Sequence, residues 1–318
     1  MKYLATGGWS LVKTIYGEFR RPRQMLGIQE YEGHLSIHDD KMAEDLGFSG
    51  APIEGPTHFS QFVPLLYRVF GNSWFERGCI SAHYQNMVTE GEEVRAFVDA
   101  VANGAPITRI GAEKRDGTSV LVGTASVGPD YGKTEIQQRL ARLRPPDQLV
   151  ILRDLAVGQE GAGNPEAVSM DFGQHMGQQY PFSLQEKLAV ITEPHSYYTE
   201  SDNPWGKPII PLEMISVLVE YTTQASGFKT RGPAIGLFAG QEIRLIKGPL
   251  FVNHPYQLER EIIALSESRR TESKWVKTRV YHAQTRELVA EVILNSATLK
   301  DSYANYREDA EALGKSLA

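Results

Sequence analysis

The sequence predicts an α+β fold built twice over, on two observations. Each half of the chain has a Pro-Ile turn leading into a largely apolar segment closed by a glycine. In the first half Pro52-Ile53 leads to THFSQFVPLLYRVFG, ending at Gly71; in the second Pro208-Ile209 leads to LEMISVLVEYTTQASG, ending at Gly227. The copies stand in register, 156 positions apart at both the prolines and the glycines (208 − 52 and 227 − 71). After each segment come four strand-like runs joined by short turns, so the sheet should be mainly antiparallel and curled around the helix.

Taking the elements in order, Phe59, Phe62, Val63, Leu66 and Phe70 recur at helical spacing in the first segment, and Ile215, Leu218, Val219 and Thr222 do so in the second. Both segments are apolar on most faces, as helices buried on most sides are. Pro64 removes one backbone hydrogen bond and should kink the first helix or shift its start. The first set of strands runs over 80–88, 91–102, 107–115 and 119–128, with Asp116-Gly117 as a hairpin turn. The second set runs over 236–246, 256–268, 273–283 and 287–299. Glycine and proline crowd the stretch from Gly128 to Gly163, which disfavours helix and strand interiors and places a joint there. The resulting division is an N-terminal unit over 1–130, a linker over 131–165, a C-terminal unit over 166–302 and a C-terminal surface helix over 303–318.

Composition excludes several functions. With 318 residues, 41% hydrophobic and 23% charged, the chain has the ordinary globular balance, and roughly 150 residues per domain allows two domains. A net charge of −6 disfavours nucleic acid and anionic membrane, and the short basic runs Arg20 to Arg23 and Arg139 to Arg144 do not reverse that. Cys79, the one cysteine, cannot form an intrachain disulfide or a cysteine-rich zinc site, which fits a reducing compartment. No run approaches the roughly 18 apolar residues needed to span a bilayer. The expectation is a soluble, cytoplasmic protein.

The stretch from Ile37 to Gly55, IHDDKMAEDLGFSGAPIEG, resembles the MaoC-like dehydratase signature: His38, an acidic residue directly after it, Ala43, Gly47-Phe48, a small-residue loop, and Gly55 opening a buried helix. The resemblance implies a hotdog fold and, from the two-half layout, a double hotdog: two curved antiparallel sheets, each around a central helix. It also implies hydration or dehydration, or a related proton-transfer elimination, of an acyl thioester or similar small organic substrate. Such a substrate carries coenzyme A or a carrier arm, and no further cofactor is expected. In (R)-specific enoyl-CoA hydratases of this family an Asp and a His five residues later share the reacting water. Here Gly33 stands where the Asp would be, and Leu35-Ser36 replaces the usual Asn-Pro. The second-half loop Thr199 to Trp205 contains Asp202-Asn203-Pro204 but no following histidine.

The expected catalytic set is therefore His38 as principal acid or base, with Glu54, His58 or Asp202 replacing the missing carboxylate. Glu54 and His58, four apart, would share a helix face, so that Glu54 raises the basicity of His58. Gly55, Pro56 and Asp39 are the expected substrate-binding residues, the backbone near Gly55 polarising the thioester carbonyl. Plainer readings stand beside each. His38 sits beside a helix start near Asp39 or Asp40, Glu54 and Glu213 suit helix N-termini, and Asp202 suits a turn. His34 and His38 lack a third ligand, so no metal is expected. Two other functions fit the same fold: a hotdog thioesterase, in which a carboxylate activates water, and a non-catalytic acyl or small-molecule binding module. Self-association into a homodimer is compatible with either.

Overall fold

A computed structural model describes residues 13–31, 34–100 and 106–316. The chain begins with β1 (Thr14–Tyr16) and the short hairpin β2 (Glu30–Tyr31) and β3 (His34–Leu35), followed by α1 (Asp40–Asp45). A 3-10 helix over Gly55–Phe62 runs directly into α2 (Val63–Phe70), then α3 (Ser73–Arg77) and four strands, β4 (Gly78–Tyr84), β5 (Val94–Asp99), β6 (Ile107–Lys114) and β7 (Ser119–Val127). Between the halves lie α4 (Glu135–Leu140), β8 (Glu166–Val168) and α5 (Leu184–Leu188). The second half repeats the plan with α6 (Leu212–Glu220), β9 (Gly236–Leu245), β10 (Tyr256–Glu267), β11 (Thr271–His282) and β12 (Leu288–Leu299), and α7 (Tyr306–Ala312) follows.

The ten longer-range strands form one antiparallel sheet in the order β1-β5-β6-β7-β4-β9-β12-β11-β10-β8. Its inner eight strands read as two copies of one arrangement, 5-6-7-4 and 9-12-11-10, back to back. The copies join where β4 pairs with β9, from Cys79 opposite Arg244 to His83 opposite Gly240. Hydrogen bonding across this seam leaves neither inner edge free and fuses the two expected sheets into one.

The core explains why the two apolar segments had to be helical. Phe59, Phe62 and Leu66 from the first segment, and Ile215, Leu218 and Val219 from the second, are buried in one cluster with Ile80, Ile110 and Leu121 of the first half and Ile243, Leu258 and Val280 of the second. Each such side chain contributes about 1.5–3 kcal/mol by leaving water. Pro64 shifts the α-helical start, as its chemistry requires: it stands in the first turn of α2, where a missing N–H costs nothing. The second core helix is shorter than its apolar run. It ends at Glu220, and a 3-10 turn over Thr223–Ser226 leads to Gly227, whose φ of 68° is left-handed. The buried Arg260 guanidinium holds this helix end, donating to the Val219 carbonyl at 2.6 Å and the Thr222 hydroxyl at 2.9 Å while pairing with Glu166.

The punctuated joint is more ordered than its glycines and prolines predict. Thr134 and Gln137 form a capping box that starts α4, and Ile136 of that helix is fully buried. Further on, the backbone N–H groups of Val150, Ile151 and Leu152 donate to the Glu272 carboxylate at 2.9, 2.9 and 3.0 Å, and the Tyr306 hydroxyl of α7 donates to it at 3.0 Å. One buried carboxylate thus ties the joint and the last helix to β11.

Candidate active site

A cavity of about 740 Å³ lies between the two halves, with walls from both. The first half contributes His38, Glu54, Gly55, His58 and Tyr84, and the second contributes Tyr180, Glu220, Phe228 and Lys274.

His38 reaches the cavity from the turn before α1. The cap of that helix is Asp39, whose carboxylate accepts from the Met42 N–H at 2.9 Å, while Asp40 accepts from the Ala51 N–H at 2.9 Å and ties the small-residue loop to the helix. His38 Nδ1 lies 2.6 Å from the Pro52 carbonyl oxygen. A carbonyl can only accept, so Nδ1 carries the hydrogen and Nε2 carries the lone pair. Burial holds the imidazole neutral, its pKa lowered to about 4 despite the Pro52 contact, which favours the charged form. His38 is therefore a fixed hydrogen-bond acceptor at Nε2.

Glu54 is buried at 8% exposure and precedes the 3-10 helix. Its carboxyl pKa is raised to about 7, first by burial and then by the negative Glu213 and Glu220, against the opposing effects of Lys187 and a hydrogen bond from Tyr180. Its Oε1 has no hydrogen-bond partner. A carboxyl poised near neutrality on a residue that lines the cavity, with one buried oxygen unpaired, can move a proton. The charge beneath it is organised by Lys187 of α5, which is buried, lies 3.3 Å from the Glu213 carboxylate of α6 and donates to the Thr57 hydroxyl at 3.2 Å. A Ser183–Glu186 capping box that starts α5 places this lysine.

Other expected roles are corrected. Glu54 does not raise the basicity of His58: the His58 Nδ1 has no partner and burial lowers its pKa to about 4, with Lys187 and Lys114 adding to the effect. The reason is geometric. The segment starts as a 3-10 helix of three residues per turn, so positions four apart do not stack as they would on an α-helix. Asp202 is exposed, in a loop where Asn203 donates to the carbonyls of Glu200 at 2.7 Å and Lys207 at 2.8 Å, and it is absent from the cavity wall. Asp39 is spent on its helix cap and Pro56 is buried, and neither lines the cavity. Gly33 lies outside the described residues. Arg20, Arg21 and Arg23 pair with Glu193, Glu93 and Glu90 respectively, and none of the three lines the cavity. Among the described residues no group of three or more His, Cys, Asp or Glu is placed to hold a metal, and no helix is long and apolar enough to cross a membrane.

Gly55 lines the cavity because nothing larger fits. A Cβ there would stand 2.5 Å from the Tyr84 ring. Gly55→Ala is expected to push Tyr84 and the start of the 3-10 helix apart, at a cost of about 1–3 kcal/mol, which chemical denaturation would register; an unchanged midpoint would show that Tyr84 moves freely.

Glu54 also couples the site to stability. Its folded pKa, about 7, lies above the ordinary 4.5, so its favourable contribution is complete below about pH 4.5 and is lost as pH rises through 7. Glu54→Gln should therefore gain stability over the native chain as pH rises across that window, by up to about 3 kcal/mol. Melting curves at pH 4.5 and pH 8 check the sign; a variant equally displaced at both would refute it.

The fold and cavity together define a double-hotdog protein. Solved structures sharing this architecture include a protein described as a MaoC domain dehydratase from Chloroflexus aurantiacus, with TM-score 0.58, 12% identity and coverage of 92% of this chain and 95% of that one. A Mycobacterium tuberculosis protein described as having a double hotdog fold has TM-score 0.53 and 10% identity, over 91% of this chain and 96% of its own. A MaoC-like dehydratase has TM-score 0.50 and 14% identity, over 89% and 97%. No protein-family model matches the sequence, and no curated protein matches it. The likeness is therefore one of fold.

Proposed function

We propose that the protein is a hydro-lyase that adds water to, or removes it from, a 2-enoyl thioester, with Glu54 moving the proton and His38 holding the water. The observation that carries this reading is that one cavity is lined both by a buried carboxyl with an unpaired oxygen and a pKa near 7 and by an imidazole fixed as an acceptor. The proton-moving part falls to Glu54 rather than His38, because an imidazole with a pKa near 4 is a weak base whereas a carboxylate near 7 is matched to neutral conditions.

In the hydration direction water donates one hydrogen bond to His38 Nε2 and the other to ionised Glu54. Glu54 takes that proton as the water oxygen bonds to the β-carbon, and the displaced π electrons move onto the thioester oxygen as an enolate. The Gly55 N–H stabilises that charge; Pro56 has no N–H, and that of Thr57 donates to the Glu54 carbonyl at 3.1 Å. Glu54 then delivers the same proton to the α-carbon, so that one H and one OH have been added and the residue is again ionised. Dehydration is the reverse and needs the same ionised form. The rate should therefore rise with pH through about 7 and level off. The chemistry calls on no cofactor beyond coenzyme A or a similar arm carried by the substrate.

A carboxylate that activates water could alternatively hydrolyse the thioester. Crotonyl-CoA separates the two: hydration consumes enoyl absorbance with the thioester intact, whereas hydrolysis releases free thiol. Thiol release at the rate of substrate loss would replace the proposal with the hydrolytic reading.

A further inference from the structure

The second-half wall of the cavity is not built like an acyl-chain tunnel. Successive inward positions on β11 and β12 follow the period of two of a pleated strand. Val276 and Leu294 face each other across the strand pair, but the next inward pair is Lys274 opposite Ser296, and Thr298 lies beyond on the same face. Lys274 is half-buried, and its one hydrogen bond among the described residues is a long contact of 3.4 Å to the Phe228 carbonyl. Neighbouring basic residues on the same strand are paired on the other face: Arg279 lies 3.0 Å from Glu261, and Lys277 lies 4.0 Å from Glu291. No carboxylate comes within 4.0 Å of the Lys274 Nζ among the described residues.

The carboxylate that acts on Lys274 is Glu220, at the end of α6 and buried. Burial lowers the Lys274 pKa and raises that of Glu220 to about 7, while each charge favours the ionised form of the other. The exposed Lys229 adds a second positive charge to the same wall. An ammonium beside two hydroxyls on a cavity wall, with Glu220 its nearest influence but no carboxylate within 4.0 Å among the described residues, is chemically an anion acceptor.

We infer that Lys274, with Ser296 and Thr298, forms a subsite for a carboxylate carried on the acyl part of the substrate, so that the preferred substrate is the monothioester of a dicarboxylic acid. The inference rests on the acyl-thioester reading of this cavity but not on the reaction performed there. Coenzyme A itself carries phosphates that could seek the same lysine, so the test must separate the two anions.

Equilibrium binding does so without relying on turnover. The saturated esters adipyl-CoA and hexanoyl-CoA share a six-carbon acyl chain and differ in the terminal carboxylate. Native protein is expected to bind adipyl-CoA at least tenfold more tightly, and Lys274→Met should erase that ratio while leaving hexanoyl-CoA affinity within about twofold. The same ratio and the same loss are expected for the N-acetylcysteamine thioesters, which carry no phosphate. Equal affinity of the native protein for the two CoA esters would overturn the inference. So would a Lys274→Met variant that weakens both CoA esters alike and leaves the phosphate-free thioesters untouched, because the lysine would then read phosphate. Selective adipyl binding by a protein that fails to hydrate any enoyl thioester would refute the lyase reading and leave the subsite standing. Lys274→Arg, which keeps the charge, should retain most of the selectivity, so a variant that merely disturbs packing is distinguishable.

Discussion

Glu54→Gln should lower kcat for hydration of crotonyl-CoA by roughly 10²–10⁴-fold while leaving a folded and, above pH 7, more stable protein. The amide fills the same volume but cannot take a proton from water and return it to carbon. His38→Ala should lower kcat by about 10²-fold through a different fault: the water loses its acceptor, though the proton carrier remains. The two variants are told apart by pH dependence. The native protein and His38→Ala should both gain activity as pH rises through about 7, since Glu54 still titrates there; the residual rate of Glu54→Gln should lack that step. Asp202→Asn, altering an exposed turn, should leave kcat unchanged. A Glu54→Gln enzyme within tenfold of the native rate, assayed on protein of verified fold, would remove the carboxyl from the chemistry.

Glu272→Ala is expected to be strongly destabilising, costing about 4 kcal/mol or more. The carboxylate accepts from three successive backbone N–H groups and from the Tyr306 hydroxyl, all in the buried cluster that joins residues 149–155 to α7 and β11. Alanine would leave four buried donors without an acceptor, and each unsatisfied donor costs about 1–3 kcal/mol. Since an entire domain is stable by only about 5–15 kcal/mol, the variant would be scarce in soluble form. Two milder changes keep the idea testable. Glu272→Gln retains one carbonyl acceptor and should lose less, and Tyr306→Phe removes a single donor and should lose about 1–2 kcal/mol. Urea unfolding of this pair, with equal and negligible losses in both, would show that the joint is held by its apolar contacts alone.

Much of the fold was legible because it rests on periodicity. The eight main strands lie within a few residues of their predicted ranges, and both apolar segments form the core helices, since alternation and helical spacing are properties of the sequence itself. The 156-residue repeat is matched by the doubled strand order. Pairing of β4 with β9 was not legible, because nothing in either strand marks which edge it will share. The ordered joint was not legible from its glycines and prolines, although the spacing of Thr134 and Gln137 signals a helix start. The site was legible only in part. His38, Glu54, Gly55 and His58 lie in one short stretch and do line one cavity, but the 3-10 start of the helix broke the expected partnership of Glu54 and His58. Tyr180, Lys187, Glu220 and Lys274 arrive from elsewhere in the chain, and their proximity to the cavity or to Glu54 depends on the packing of the two halves. The Ser183-x-x-Glu186 box was the one local clue to the helix that carries Lys187.

The most direct test of the account is isotopic. Incubation of the native protein with crotonyl-CoA in water enriched in oxygen-18, followed by mass spectrometry of the products, reports where the solvent oxygen is placed. The label is expected in the 3-hydroxyl group of an intact acyl-CoA, formed at a rate that collapses in Glu54→Gln. Label found instead in the carboxyl group of free crotonate, or a 3-hydroxyl product formed equally fast without the Glu54 carboxyl, would contradict it.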